Sequence, residues 1–277
     1  MTIQMPSPVS RLKKDLIQSA ETLGDAEARQ LVDVYYKYQD DRIRNNAQIR
    51  EAVKTKEPHS VLQYLAEQSH YLENQIKRVL TVYADSKDVG KWLMHNKGIG
   101  GVLASGLLAH IDINQAPTVG HIWNFAGLNP SIKWEKGKKR PFNAKLKTLC
   151  WKIGESFVKV SGHDDAFYGK LYSERKKFEI QRNEDGYYEE HAKKQLTIKK
   201  FGKTTDAYKS YNKGKLPPAH VHAIATRWTV KIFLSHLHAI WYEKETGMSA
   251  PVPYAIAHLG HAHLIEPPFT INEIGME

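Results

Sequence analysis

Residues 60–83 read SVLQYLAEQSHYLENQIKRVLTVY. Within them Leu62, Leu65, Ser69, Leu72, Ile76, Val79 and Tyr83 recur at alternating intervals of three and four residues, the spacing that lines side chains along one stripe of an α-helix. Ser60 stands where an N-cap belongs. Such a stripe leaves water only against another helix. The partner is either residues 26–55 folded back antiparallel or the same helix of a second subunit; three heptads do not decide, and a hairpin within one chain is the simpler arrangement. Upstream, residues 8–23 form a short helix stopped by Gly24, and Asp25 is placed to cap a long helix that ends before Pro58. The amino-terminal region therefore reads as a helical hairpin with a coiled-coil-like seam.

Downstream of Tyr83 a polar break, in which Ser86 or Asp88 is the expected N-cap, leads into KDVGKWLMHNKGIGGVLASGLLAHI, residues 87–111. A short helix carrying Val89, Trp92 and Leu93, a Gly98-Ile99-Gly100 turn, and a second helix carrying Val102, Leu103, Leu107 and Leu108 make a helix-hairpin-helix pattern. Glycines allow the turn's backbone angles, Ile99 plugs the gap between the helices, and the small Ala104 and Ser105 permit close helix approach. Amides at the start of the second helix, Gly100 and Gly101 among them, suit a phosphate oxygen without reading a base, and Lys97 stands beside them. Past this unit the only candidate strands are short ones near Ile132, and helices are expected at 143–160 with Asn143 as cap, 164–182, 187–200 and 218–246.

The chain has 277 residues, 41% apolar and 25% charged, which excludes disordered, collagenous and disulfide-stapled classes. Its single cysteine, Cys150, forms no internal disulfide, and with no secretory h-region at the start the expected setting is cytoplasmic. The longest apolar run, residues 98–111, holds four glycines and is too short to span a bilayer, so no membrane association is expected. Positive charge is concentrated. Residues 133–147 (KWEKGKKRPFNAKLK) hold seven Lys/Arg against one Glu, and residues 193–215 hold eight Lys against one Asp; with the whole chain at +10, the remainder is −3. Both runs are interleaved with aromatics, Trp134 and Phe142 in one, Phe201, Tyr208 and Tyr211 in the other, the footprint of a nucleic-acid partner. The Arg42, Arg44, Arg50 series suits either phosphate contact or a solvated helix face.

Seven histidines fall between residues 220 and 263. His220/His222 and His236/His238 are two apart, which points the rings of each pair to different helix faces. Only His258, His261 and His263 would converge from a turn, with no cysteine to join them, so packed or surface histidines are expected and no metal or cofactor is assigned. Of the acidic residues that might form a nuclease cluster, Asp164 or Asp165 is read as the cap of the helix beginning near Ala166, and Asp112 and Glu155 as surface carboxylates.

The helix ending near Tyr83, the hairpin KGIGGVLASGLLAHI, the stretch FAGLNP (125–130) and the basic RPFNAKLKTLCWKI together resemble the carboxy-terminal domain of the insertion-sequence 110 family, the DEDD-type, RNA-guided transposases. The resemblance covers roughly residues 60–160. Residues 215–268, including KIFLSHLHAIWYE and PYAIAHLGHAHLIEPP, look like related stand-alone phage and mobile-element proteins. The family's enzymes pair an amino-terminal RuvC-like nuclease domain with a nucleophilic serine in the carboxy-terminal domain. Here the amino-terminal region reads as helices, so that nuclease domain is expected to be missing, and Ser131, beside Pro130, is the nearest serine, with no activating base or metal identifiable by spacing.

The sequence thus implies a mostly α protein: a helical hairpin (1–85), a helix-hairpin-helix, transposase-like DNA-binding domain (86–160) and a helical carboxy-terminal region (161–277). The expected activity is non-catalytic DNA binding in recombination or mobile-element biology. Lys97, Gly98, Ile99, Gly100 and Gly101 would meet phosphate and Lys133, Lys136, Lys138, Lys139, Arg140, Lys145 and Lys147 would supply charge. A factor that docks on a recombinase or integrase, a homo-oligomer through the seam, and an active transposase-like enzyme are the other readings.

Overall fold

The computed structural model describes residues 10–55, 60–252 and 264–275, and all regular structure among them is helical. No described helix is long and apolar enough to cross a membrane. The helices are α1 (Lys14–Gln18), α2 (Asp25–Lys54), α3 (Ser60–Asp85), α4 (Asp88–His95), α5 (Gly101–His110), α6 (Val119–Phe125), α7 (Ala144–Lys159), α8 (Phe167–Glu184), α9 (Glu189–Ile198), α10 (Asp206–Asn212), α11 (Pro218–Thr246) and α12 (Ile271–Ile274). The short strands expected near Ile132 are turns and irregular chain.

Contacts divide the chain into two compact units where the sequence suggested three segments. The first takes the chain up to His95, residues 99–112 and the end from Ile271; the second takes 96–98 and 113–270. The hairpin's second helix joins the amino-terminal unit because α5 packs on α2 and α3 as well as on α4. Residues 113–160 join the carboxy-terminal unit because α6 and α7 pack on α11.

In the first unit α2 and α3 form the intramolecular hairpin. Gly24 is the N-cap of α2, its amide donating to the Glu27 carboxylate at 2.8 Å, so Asp25 does not cap. Asp25 instead accepts a hydrogen bond from the Tyr83 hydroxyl at 2.9 Å. Likewise Ser86 closes the end of α3 through the Tyr83 carbonyl, and Asp88 is already inside α4. The buried residues of α3 are Ala66, Glu73, Gln75, Leu80, Tyr83 and Ala84, whereas Leu65, on the expected seam, is 46% exposed. The buried face is rotated from that stripe because α3 is covered by α5 as well as α2: Val32, Leu80 and Val102 make one cluster with Leu31, Tyr35, Tyr36 and Ile76 around it.

At the centre of the hairpin lies a charge. Arg42 Nε donates to Glu73 at 2.5 Å, and Gln39 donates to the same carboxylate at 3.2 Å. Burial pushes the Glu73 carboxyl up, but the hydrogen bonds from Arg42, Gln39 and Tyr35 outweigh it and hold the group below its ordinary range. Arg42 is therefore a structural residue, and removing it would leave the buried Glu73 carboxylate without its cation, at a cost of about 3 kcal/mol, whereas the Arg42 guanidinium, partly in water, would lose less on removal of Glu73. The close helix approach foreseen for the small residues of α5 is against α3: a Cβ on Gly101 would sit 2.6 Å from Thr81 Cα, and Ser105 Oγ donates to the Leu80 carbonyl at 2.6 Å.

The second unit is organised on α11, which contacts α6, α7 and α8. Phe157, Tyr168 and Phe233 meet pairwise at ring-centroid distances of 4.9–5.2 Å and form the aromatic heart of its core. Asn143 caps α7 as its sequence position suggested, accepting from the Lys145 and Leu146 amides. Ala166, not Asp164 or Asp165, is the N-cap of α8, and no side chain caps that end. Further along α8, the Asn183 amide clamps both the N–H and the C=O of Leu216, fixing the return of the chain into α11.

Candidate nucleic-acid interface

The glycine turn crosses from one unit to the other. Gly98 lies in the left-handed region (φ +98°), which a side chain on any other residue would disfavour, and its carbonyl accepts from Ser156 Oγ at 2.5 Å. Lys97 is exposed and pairs with Asp165 at 3.1 Å, a contact that holds the Asp165 carboxyl below its ordinary range. A phosphate at Lys97 would therefore have to displace that carboxylate. In the first unit Ile99 and Gly101 are buried and Gly100, the N-cap of α5, is exposed. Of the five turn residues singled out from the sequence, Lys97 and Gly100 reach solvent, Gly98 is half-buried, and Ile99 and Gly101 serve packing.

The first basic run is an exposed loop after α6 that passes into the first turn of α7, and the loop is built rather than slack. The Trp134 indole donates to the Lys138 carbonyl at 2.7 Å, and the Arg140 guanidinium lies 5.2 Å from its ring centre. Lys138 pairs with Glu135 at 2.8 Å. Lys133, Lys136 and Lys139 are exposed and form no ion pair among the described residues. Lys145 is on the first turn of α7, where its amide is capped by Asn143, and Lys147 lies over the Phe142 ring at 4.3 Å. Trp134 keeps 41% of its surface in water.

The second basic run has a different anatomy. The rings of Phe201 and Tyr211 meet at a tilt with their centres 5.1 Å apart, and Tyr211 is buried with Ala192, Leu216 and Val221 in a local core that Tyr188, Leu196 and Phe201 flank. These aromatics, read from sequence as interleaved nucleic-acid contacts, hold the segment to α11, leaving Tyr208 as the one beside the solvent-facing lysines. Lys193, Lys209 and Lys215 pair with Glu189, Asp206 and Glu184. The Tyr211 hydroxyl also meets His220 Nδ1 at 3.0 Å.

The other described histidines are similarly occupied. His222 meets Tyr172 at 2.8 Å, His236 lies between the Tyr168 hydroxyl and the Ile265 carbonyl at 2.8 and 2.7 Å, and His238 meets the Ala116 carbonyl at 2.8 Å. Burial drives His236 down to about 4, so it is neutral near pH 7. Among the described residues no group of three or more His, Cys, Asp or Glu converges on a metal-sized site; His258, His261 and His263 lie outside them. Glu155 faces His222 at 3.5 Å and Asp165 faces Lys97. Ser131 is exposed, with its amide donating to Asn129 Oδ1 at 2.9 Å and no acid or base among the described residues bound to its hydroxyl.

Sequence reading passed over one basic feature of the first unit. Lys77 and Arg78 on α3, with Lys14 on α1, line an open hollow of about 610 Å³ that holds no acidic side chain, and Thr81 at its edge is the residue against which Gly101 packs. The signal was present in the spacing, since Lys77 and Arg78 stand one turn before Thr81, but nothing in the sequence says that α5 begins there. The chain matches no protein-family model, and neither a curated protein nor a solved structure is significantly similar to it.

Proposed function

We propose that this protein binds DNA through its phosphate backbone, without catalysing a reaction on it, in recombination or another step of mobile-element biology. The observation that carries the reading is the loop at 133–143, where Lys133, Lys136 and Lys139 are exposed and form no ion pair among the described residues, beside a tethered Trp134. Cations held out on an anchored loop bind phosphates at little conformational cost and release condensed counterions when they do. Lys145 and Lys147 extend the charge onto α7 within the second unit; in the first unit, taken by itself, Gly100, Lys77 and Arg78 face solvent and offer phosphate contacts of their own. The assignment to mobile-element biology rests on the hairpin KGIGGVLASGLLAHI and the stretch FAGLNP, whose order resembles that of a transposase carboxy-terminal domain.

A specific observation favours a second reading, a factor that docks on a recombinase or on a second copy of itself. Ile43, Val53, Val61 and Leu65 of the α2–α3 hairpin are each more than 45% exposed. One experiment separates the two. Duplex DNA is titrated across a salt series with wild-type protein and with a Lys133→Gln/Lys136→Gln/Lys139→Gln/Arg140→Gln variant. Log affinity should fall linearly with log salt, and the variant's slope should be shallower by about 3 to 4. Equal slopes, or DNA affinity that appears only when a recombinase is present, would favour the docking factor.

A further inference from the structure

In the second unit α7 and α11 leave a groove of about 240 Å³ between them. Its floor is where the helices touch: a Cβ on Gly154 would sit 2.4 Å from the Thr226 methyl, and buried Cys150 and Val230 extend the apolar surface. The Cys150 thiol is pushed up to about 12 by burial, so this floor is neutral at physiological pH. One wall is Trp151, which is 61% exposed and stacks on no other ring. Lys147, one helical turn before Trp151, and Arg227 on α11 also line the groove, as do Glu155 and His222 at 3.5 Å from each other.

Each feature narrows the ligand. An exposed indole face over an apolar floor accepts a flat ring, since π-faces stack irrespective of the ring's identity. Neither Lys147 nor Arg227 has an acidic partner among the described residues, so the ring should carry negative charge nearby. The Glu155 carboxylate offers acceptor oxygens that suit an exocyclic amine, and His222, bonded to Tyr172 through Nδ1 and facing Glu155 through Nε2, orients it. A simple anion would leave the apolar floor unused, and an apolar peptide would leave both cations desolvated without a counter-charge. A closed cavity of roughly 150 Å³ holds a single benzene ring, and this open groove of about 240 Å³ has room for a flat ring.

We propose that this groove binds a nucleotide, with its base stacked on Trp151, its phosphate held by Lys147 and Arg227, and its polar edge facing Glu155 and His222. Lys147 closes the basic run 133–147, so the groove continues the surface assigned above to DNA. The macromolecular form of the inference rests on that reading: the base is an unpaired one, extruded from a bound strand. The same chemistry would take a free nucleotide.

The test uses the full chain and three probes: a perfect duplex, the same duplex carrying one unpaired adenine, and deoxyadenosine monophosphate. The wild type should bind the unpaired-adenine duplex more tightly, and Trp151→Ala should weaken that complex roughly 5- to 100-fold and erase the difference between the duplexes. Trp151→Phe should restore most of it, and Arg227→Gln should weaken binding of the monophosphate. Equal binding of both duplexes by wild type and Trp151→Ala, with no response to the monophosphate, overturns the groove and leaves the DNA reading standing. Monophosphate binding that depends on Trp151 without affinity for either duplex supports the groove and overturns the DNA reading. Failure of all three probes overturns both.

Discussion

The two basic segments of the second unit look alike as sequence and differ as structure. Both are lysine-rich and both carry aromatics every few residues. In 193–215 the rings of Phe201 and Tyr211 turn inward to a local core, and three of the eight lysines are neutralised by neighbouring carboxylates. In 133–147 the indole of Trp134 stays at the surface, tied by its N–H to the loop's own backbone, and Lys138 pairs with Glu135. Aromatic interleaving is therefore not one signal. A ring among lysines can hold the segment down or face a ligand, and only its neighbours across the fold tell which.

This contrast breaks most readily at Tyr211. Tyr211→Ala removes a buried ring from a small cluster and should cost about 3 kcal/mol, read as a shift in urea unfolding, whereas Trp134→Ala should stay within about 1 kcal/mol. Comparable losses from the two would mean that the loop at 133–147 is also held by its aromatic ring. The next largest effect is on DNA. Neutralising Lys193, Lys209 and Lys215, each already beside a carboxylate, should lower the salt slope by less than neutralising Lys133, Lys136 and Lys139, and a full change of about 3 from both sets would make the segments equivalent partners.

The smallest effect is one of pH. His220, bonded to Tyr211, has its pKa lowered by burial first and then by His191, Arg227 and Lys199 around it. A histidine whose folded pKa lies below its unfolded value near 6.5 is protonated more readily when the segment opens, so stability declines as pH falls through about 6.5 and levels off below the folded pKa. Amide exchange across residues 189–220 should therefore quicken between pH 7.5 and pH 5.5, after correction for intrinsic rates, more than across α7, and His220→Gln should flatten the difference. Unchanged protection across 189–220 would remove His220 from the account of what holds the second segment.

Local features carried well from sequence to structure. The helices, the cap at Asn143 and the hairpin of α2 and α3 follow from spacing, from a side chain that reaches its own backbone, and from a short connection. What did not carry was the choice among equivalent groups. Asp164 and Asp165 were each placed to cap α8, yet Asp165 binds Lys97 and Ala166 takes the cap position, because an exposed carboxylate goes to whichever cation the fold brings near. Trp151 and Arg227 lie far apart in sequence and had no shared pattern to reveal them.

By itself the sequence determined that the chain is helical, where most helices start and stop, and where its positive charge is concentrated, because helix periodicity, capping and formal charge are set by residues within a few positions of one another. Tertiary structure alone decided which face of α3 is buried, that Glu73 would meet Arg42 inside the hairpin, that Gly101 and Ser105 serve the approach to α3, and which of two similar basic runs turns its aromatic rings into a core. Those outcomes depend on which distant surface arrives to exclude water, and a buried charge or ring is stabilised or penalised according to that partner.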